Sequence, residues 1–239
     1  MTERNVLVTG ASKGIGYATA VLFAQEGCRV YANYHKTYEP LRLLAESCAR
    51  AGQTLIPARA DVTAKKEVDA LFALADKTDV LVNNAGIAQT KEFTQLSEAD
   101  WDNMLAANLK SVFLCSQAAL PYMLRAKRGC IINIASVWGV AGGSCEAHYS
   151  AAKAGIVGLT KALAKELGPS GIRVNCIAPG VIDTDMNGAL AKAERQALTE
   201  ATPLGRIGRP QDIARAALFL AANDFITGEV LNVNGGFYI

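Results

Sequence analysis

The sequence predicts an α/β fold: a single domain over residues 1–239, with a doubly wound parallel sheet of seven strands and helices on both faces. Three observations lead there. Short apolar, β-branched runs alternate with longer stretches of helical periodicity from end to end, which is the pattern of repeated βαβ units. A glycine-rich turn, "VTGASKGIG" (8–16), falls where the first strand meets the first helix, a junction suited to receiving phosphate groups. The composition, 51% hydrophobic and 19% charged, supplies a core large enough to cover a sheet on both sides.

The elements follow in order. "NVLVTG" (5–10) is an unbroken apolar run, as expected of a strand buried on both faces. "GYATAVLFAQEG" (16–27) is a helix closed by Gly27. "RVYANY" (29–34) is the second strand, and "EPLRLLAESCARAG" (39–52) a helix with Pro40 near its start and Gly52 at its end. "TLIPARAD" (54–61) and "DVLVNNAG" (79–86) are strands separated by a helix at 64–76. Residues 97–126 form a long helical region, which Pro121 is expected to interrupt or kink. "GCIINIAS" (129–136) is a strand, 148–168 a helix and "GIRVNCIAPG" (171–180) another strand. A helix at 211–222 precedes the closing strand "EVLNVNGG" (229–236). No linker, repeat or low-complexity stretch divides the chain.

Composition also excludes several classes of function. The formal charge is only +2 and no long basic run occurs, so nucleic acid is not expected as a partner. No apolar run approaches the ~18 residues of a membrane span, and the apolar stretch in "MTERNVLVTG" is too short for a signal peptide. The cysteines at 28, 48, 115, 130, 145 and 176 form no CxxC pair; reduced thiols and a cytoplasmic location are expected. No metal site is expected either, because His35 and His148 lie far apart.

The glycines of the turn, Gly10, Gly14 and Gly16, together with Ser12, Lys13 and Ile15, would let the backbone approach a pyrophosphate at a helix N-terminus. An NAD-binding protein usually carries an acid at the end of the second strand for the ribose 2′-hydroxyl. Here "ANYHK" places Asn33 at that point, followed by His35 and Lys36. With Lys13, these cations would welcome a 2′-phosphate, so NADP(H) is the expected cofactor. Farther along, "HYSAAKAG" (148–155) sets Tyr149 and Lys153 four residues apart, neighbours on one face of a helix. A nearby cation and the helix N-terminus both favour the phenolate, which predicts a lowered pKa and a general acid/base for neutral pH.

These motifs, "TGASKGIG" (9–16), "NNAG" (83–86), Asn108, Ser136, "YSAAK" (149–153) and "PG" (179–180), span nearly the whole chain, and in combination they resemble the short-chain dehydrogenase/reductase family. The resemblance implies that Tyr149 protonates a carbonyl oxygen during hydride transfer. Lys153 would lower its pKa and bind the nicotinamide ribose, Ser136 would hold the carbonyl, and Asn108 would help a water connect Lys153 to solvent. It further implies that Asp61 and Val62 contact the adenine and that Asn83, Ala85 and Gly86 pack beneath the cofactor, Asn83 also being able to brace the central strands. After Pro179 and Gly180, the backbone of Ile182 and the hydroxyl of Thr184 would hold carboxamide and phosphates. Asp61 read alone would equally suit an N-cap for the helix at 64–76.

Within that family the chain looks most like the 3-oxoacyl-[acyl-carrier-protein] reductases of fatty-acid synthesis, through its length, "GRIGRPQDIA" (205–214) and "ITGEVLNVNGG" (226–236). The Ala-rich segment 185–205, with Met186, Leu190, Leu198 and Leu204, suits a flexible flap over an apolar chain, or equally a permanently packed amphipathic helix. "RAKR" offers Arg125, Lys127 and Arg128 as a basic site near the active-site mouth for an acidic carrier protein. Two departures stand against that: "GPSGIR" has Ser170 and no cation before Arg173, and Glu146 is an unusual choice beside an acyl thioester. The alternatives are an NADP-dependent reductase of acetoacetyl-CoA, a small ketone or a sugar, and a non-catalytic dinucleotide-binding regulator. The resemblance also implies a homotetramer, joined through "GGFYI" at the C-terminus and the faces of 97–126 and 148–168.

Overall fold

The computed structural model describes residues 4–188 and 191–239. Its order is β1 (Asn5–Val8), α1 (Gly14–Gln25), β2 (Arg29–Tyr34), α2 (Glu39–Arg50), β3 (Thr54–Arg59), α3 (Lys65–Leu74), β4 (Val80–Asn83) and α4 (Glu98–Leu105). There follow a π-helical turn (Ala106–Lys110), α5 (Ser111–Ala126), β5 (Gly129–Ile134), α6 (Trp138–Ala141) and α7 (Ala147–Leu167). The chain ends with β6 (Ile172–Pro179), α8 (Lys192–Glu200), α9 (Pro210–Ala222) and β7 (Val230–Val233). All strand pairs are parallel, in the order β3-β2-β1-β4-β5-β6-β7.

Both faces of the sheet are covered, and alternate residues of one strand enter opposite layers. Val6 and Val8 pack with Phe23, Leu41 and Ile213 from α1, α2 and α9. Leu7, between them, packs with Leu71, Met123 and Leu167 from α3, α5 and α7. Each such side chain, fully buried, contributes roughly 1.5–3 kcal/mol, so strands without polar alternation are stable only between two helical layers. The chain builds outward from β1 to β3, then crosses back to place β4 on the other side of β1. The crevice for a ligand opens at this reversal, outside the carboxyl ends of the strands. "VTGASKGIG" and "NNAG" leave the sheet there, which is why β1 ends at Val8 and β4 at Asn83.

The long helical region breaks at a different place from the one expected. α5 continues through Pro121; that proline and Gln117 one turn earlier are exposed, so water can satisfy the carbonyl the proline leaves unbonded. The irregularity lies at Ala106–Lys110, where Asn108 Nδ2 donates to the carbonyl of Met104 at 3.1 Å. A side chain inserted into the helical ladder is a common cause of such bulges, which cluster at functional sites.

The 185–205 segment contains a short 3-10 turn (Asp185–Asn187) and α8. No residue of α8 is fully buried; Arg195, Leu198 and Thr199 are half-buried on one face and the rest are exposed. Arg195 holds it to Asp183 at 2.9 Å. Leu190 lies outside the described residues. No helix among those described is long and apolar enough to cross a membrane.

Candidate active site

Two adjoining cavities occupy the crevice. One, of about 450 Å³, is lined by Gly10, Ser12, Lys13, Gly14, Ile15, Asn33, His35, Lys36, Asp61, Val62, Ala85, Gly86 and Thr184. The other, of about 140 Å³, is lined by Asn108, Ser136, Tyr149, Lys153, Pro179, Gly180 and Ile182. Ile15, Asn84, Gly86, Thr184 and Met186 belong to both. Larger clefts of about 610 and 710 Å³ open elsewhere, but they gather none of these residues.

The larger cavity has the build of a dinucleotide site. Gly10 adopts φ +62°, and a Cβ there would stand 2.8 Å from the Ala85 Cα, so only glycine lets the turn pass this close to the end of β4. Gly16 does not line the cavity; a side chain there would strike the Gly10 carbonyl and the Asn84 amide, and its role is to seat α1 against the turn. Asn84, which the sequence reading passed over within "NNAG", ties the two motifs together. Its Nδ2 donates to the carbonyls of Thr9 and Gly10 at 3.0 and 3.1 Å, while Thr9 Oγ1 accepts from the Asn84 and Ala85 N–H groups.

Two asparagines named for the cofactor site brace the fold: Asn33, which also lines the larger cavity, and Asn83, in the strand-bracing role its position allowed. Asn33 Oδ1 accepts from Gly10 N, and its Nδ2 donates to the carbonyls of Ala58 and Ala60 at 3.2 and 3.1 Å. These bonds occupy the amide in tying the glycine turn, which follows β1, to the ends of β2 and β3. Asn83 Nδ2 donates to Ser116 Oγ and Asn133 Oδ1, and Asn83 lines neither cavity. Asp61 is not the N-cap of α3, which is Ala64; it closes the turn before the helix and also lines the cavity. Its Oδ1 accepts from the Thr63 N–H and hydroxyl just before α3, and its Oδ2 lies 3.9 Å from His35 Nε2. Lys13 reaches Asp185 at 3.4 Å with both side chains well exposed; such pairs contribute little, leaving Lys13 open to a stronger anion.

The smaller cavity gathers the four expected catalytic residues. Ser136 leaves the end of β5, its Oγ accepting from the Trp138 N–H at 3.2 Å, and it lines the cavity with Tyr149, whose hydroxyl pKa it works to lower. Lys153 follows one turn after Tyr149 on α7; its Nζ donates to the Ile134 carbonyl at 2.9 Å and lies 5.6 Å from the Tyr149 ring centroid. Asn108, fixed by bonds from Nδ2 to Ile87 and Met104, leaves its buried Oδ1 with no protein partner. That oxygen and Lys153 Nζ converge beyond Gly86, where a Cβ would meet Asn108 Oδ1 and stand 3.6 Å from Nζ.

The expected phenolate does not form among these groups. Burial pushes the Tyr149 hydroxyl up to about 12, against the lowering effect of the Ser136 hydroxyl and with the Glu146 charge adding to the rise. Burial equally brings the Lys153 ammonium down to about 8. Desolvation outweighs the helix terminus and the neighbouring cation. The result is a neutral phenol beside an ammonium at neutral pH, the state a proton donor requires.

"RAKR" stands at the wrong end of the strand for the mouth of its own chain. Arg125, Lys127 and Arg128 precede β5, whereas Ser136 follows it, and six strand residues separate the two ends by roughly 20 Å. Lys127 closes α5 in a left-handed conformation, and Arg128 pairs with Asp79 at 3.3 Å on that far edge.

A dinucleotide cradle at the β1–β4 reversal, joined to a Ser–Tyr–Lys–Asn set, defines an oxidoreductase of the Rossmann type. Residues 10–238 match the family model described as enoyl-(acyl carrier protein) reductase. The chain is 41% identical to the 3-oxoacyl-[acyl-carrier-protein] reductase FabG of Staphylococcus aureus (strain Mu50) over 242 residues, covering 99% of this chain and 98% of that one. It is 43% identical to the (2S)-[(R)-hydroxy(phenyl)methyl]succinyl-CoA dehydrogenase subunit BbsD of Thauera aromatica, covering 98% and 96%. The crystal structure of 3-oxoacyl-[acyl-carrier protein] reductase from Brucella melitensis superposes with a TM-score of 0.94 at 34% identity, covering 100% of this chain and 92% of that one. The chain belongs to the short-chain dehydrogenase/reductase family.

Proposed function

We propose that this protein reduces a 3-oxoacyl thioester to the 3-hydroxyacyl thioester with NADPH, the acyl group arriving on a carrier protein for fatty-acid synthesis. The carrying observation is the convergence of Ser136, Tyr149, Lys153 and Asn108 in one cavity that opens into the dinucleotide cradle. The names of the Staphylococcus, Brucella and Thauera relatives all specify acyl-carrier or CoA substrates, which supports a thioester.

NADPH held by Gly10, Ser12, Gly14 and Thr184, with its 2′-phosphate toward Lys13, His35 and Lys36, would supply the hydride. As hydride reaches the carbonyl carbon, charge builds on oxygen, and the Ser136 and Tyr149 hydroxyls are placed together to stabilise it. Tyr149 then gives its proton to that oxygen. The Lys153 ammonium, 5.6 Å from the Tyr149 ring, steadies the charge that Tyr149 takes on as its proton leaves, and a water between Nζ and the orphaned Asn108 Oδ1 would return the proton from solvent. In this reading the 185–205 segment, whose helix α8 buries no residue, serves as the flap. A role as a mere dinucleotide-binding regulator leaves this assembled proton relay without a purpose.

Steady-state kinetics with an acyl-carrier thioester and acetoacetyl-CoA, each with NADPH and NADH, test the proposal. NADPH is preferred, and the carrier thioester has the higher kcat/KM. Lys13→Ala raises the KM for NADPH and leaves that for NADH near wild type; a wild-type preference for NADH refutes this cofactor assignment.

We also propose a cytoplasmic homotetramer, in keeping with six free thiols and with exposed Trp101, Phe113, Leu124, Tyr238 and Ile239 on the segments expected to pair. In such an assembly Lys127 and Arg128 can serve only the mouth of another subunit. Light scattering at micromolar concentration gives four times the chain mass; a monomer refutes the assembly.

A further inference from the structure

Glu146 is a charged group that carbonyl reduction does not use. It occupies the N-cap position of α7, three residues before Tyr149, yet its side chain makes no capping bond to the helix. It lines the smaller cavity with Ser136, Trp138, Tyr149 and Val181. Among the described residues its carboxylate has neither a hydrogen bond nor an ion pair, and burial raises its pKa with no cation offsetting the rise. Its charge acts on Tyr149, whose ionisation it opposes.

An acyl chain gains nothing from such a neighbour: apolar carbon laid against a lone carboxylate strips its water and returns no contact. A cation would be held strongly at the same place, because the half-buried carboxylate is already partly desolvated and unpaired. We infer that Glu146 selects an oxo substrate bearing a cationic nitrogen, an amino ketone or an amino-substituted oxoacyl group, and ion-pairs that nitrogen while Ser136 and Tyr149 hold the carbonyl oxygen. The inference rests on the carbonyl-reductase reading above and departs from its unsubstituted acyl chain in favour of a substrate that carries a cation.

The test uses trimethylammonio alkan-2-ones of graded chain length, each paired with its uncharged tert-butyl isostere; the quaternary nitrogen prevents cyclisation onto the carbonyl. NADPH oxidation by the wild-type enzyme favours the cationic member at the matching length by about tenfold or more in kcat/KM, the factor that roughly 1.4 kcal/mol of ion pairing gives. Glu146→Gln, which keeps the side chain's shape, loses that preference and handles the neutral isostere better than wild type does. Preference for the neutral member at every length overturns the inference, as does a cationic preference that survives Glu146→Gln. Acetoacetyl-CoA serves beside them: its turnover without reduction of any cationic ketone sinks the Glu146 inference and leaves the reductase reading intact. Absence of turnover with every oxo compound sinks the reductase reading instead. Calorimetric titration of the same ketone pairs into wild type and Glu146→Gln then decides the Glu146 inference on binding alone.

Discussion

Tyr149→Phe lowers kcat/KM for carbonyl reduction by about 10²–10⁴-fold, the usual loss on removing a general acid, and leaves cofactor affinity close to wild type. The substitution deletes one oxygen. Tyr149 is 8% exposed and its ring packs with Met104 and Ala152, contacts that phenylalanine keeps, so the fold survives. Ser136 retains its bond from the Trp138 N–H, and one hydroxyl still faces the substrate oxygen. What vanishes is the proton, because Lys153 is engaged with the Ile134 carbonyl and Glu146 makes no hydrogen bond to Ser136 or Tyr149 among the described residues. NADPH consumption in steady state, with fluorescence titration of cofactor, checks both halves. Near-normal turnover in Tyr149→Phe removes Tyr149 as the acid and the proposed mechanism with it.

Much of this site was legible because its motifs pair residue type with an obligatory place in the chain. A strand that runs into Gly10 and a helix that follows Gly14 admit few alternatives to a close approach by backbone, and the structure gives both glycines a positive φ. Ser136 and Tyr149 were placed correctly for a similar reason: each sits at the carboxyl end of a strand or the start of the helix after it, and the parallel sheet brings such ends to one edge. The motifs also located "NNAG" beside the glycine turn, since β1 and β4 are neighbours only if the chain reverses there.

The misplacements have physical causes that sequence alone cannot weigh. An asparagine is equally able to bind a ligand or a backbone; Asn33 lines the cavity, yet its Nδ2 is taken up by carbonyls from β3 (Ala58) and just after it (Ala60), some 25 residues away. Pro121 looked like the obvious breaker, but a proline on the solvent face of α5 costs its helix little, whereas Asn108 reorganises the backbone by bonding to Met104. "RAKR" is close to Ser136 in sequence, and the length of β5 turns that closeness into opposite edges of the sheet. The lowered Tyr149 pKa failed because the pattern Tyr-x-x-x-Lys reveals the cation and conceals the burial, which is the larger effect here.

Lys153→Met separates the remaining electrostatics from the packing. Methionine is long enough to fill the space, but it carries no charge to steady Tyr149 as the proton leaves, and no ammonium for the cofactor ribose. We expect kcat/KM to fall by about two orders of magnitude, within the range for a lost acid–base partner, and cofactor affinity to weaken as well. The pH dependence discriminates further. Burial holds the Lys153 ammonium at about 8 while Tyr149, at about 12, stays protonated, so wild-type kcat/KM is full below that lower value and declines as pH rises through about 8. In Lys153→Met that decline is absent; if it persists, another group sets it. Stability moves the other way. An ammonium whose folded pKa lies below its unfolded one destabilises the native state at neutral pH, and this cost disappears only as pH rises above the folded value. The methionine removes it outright, against the loss of one bond to the Ile134 carbonyl, worth about 1 kcal/mol. The apparent Tm of Lys153→Met at pH 7 therefore exceeds that of wild type, and a variant with lower activity and higher Tm cannot owe its defect to unfolding.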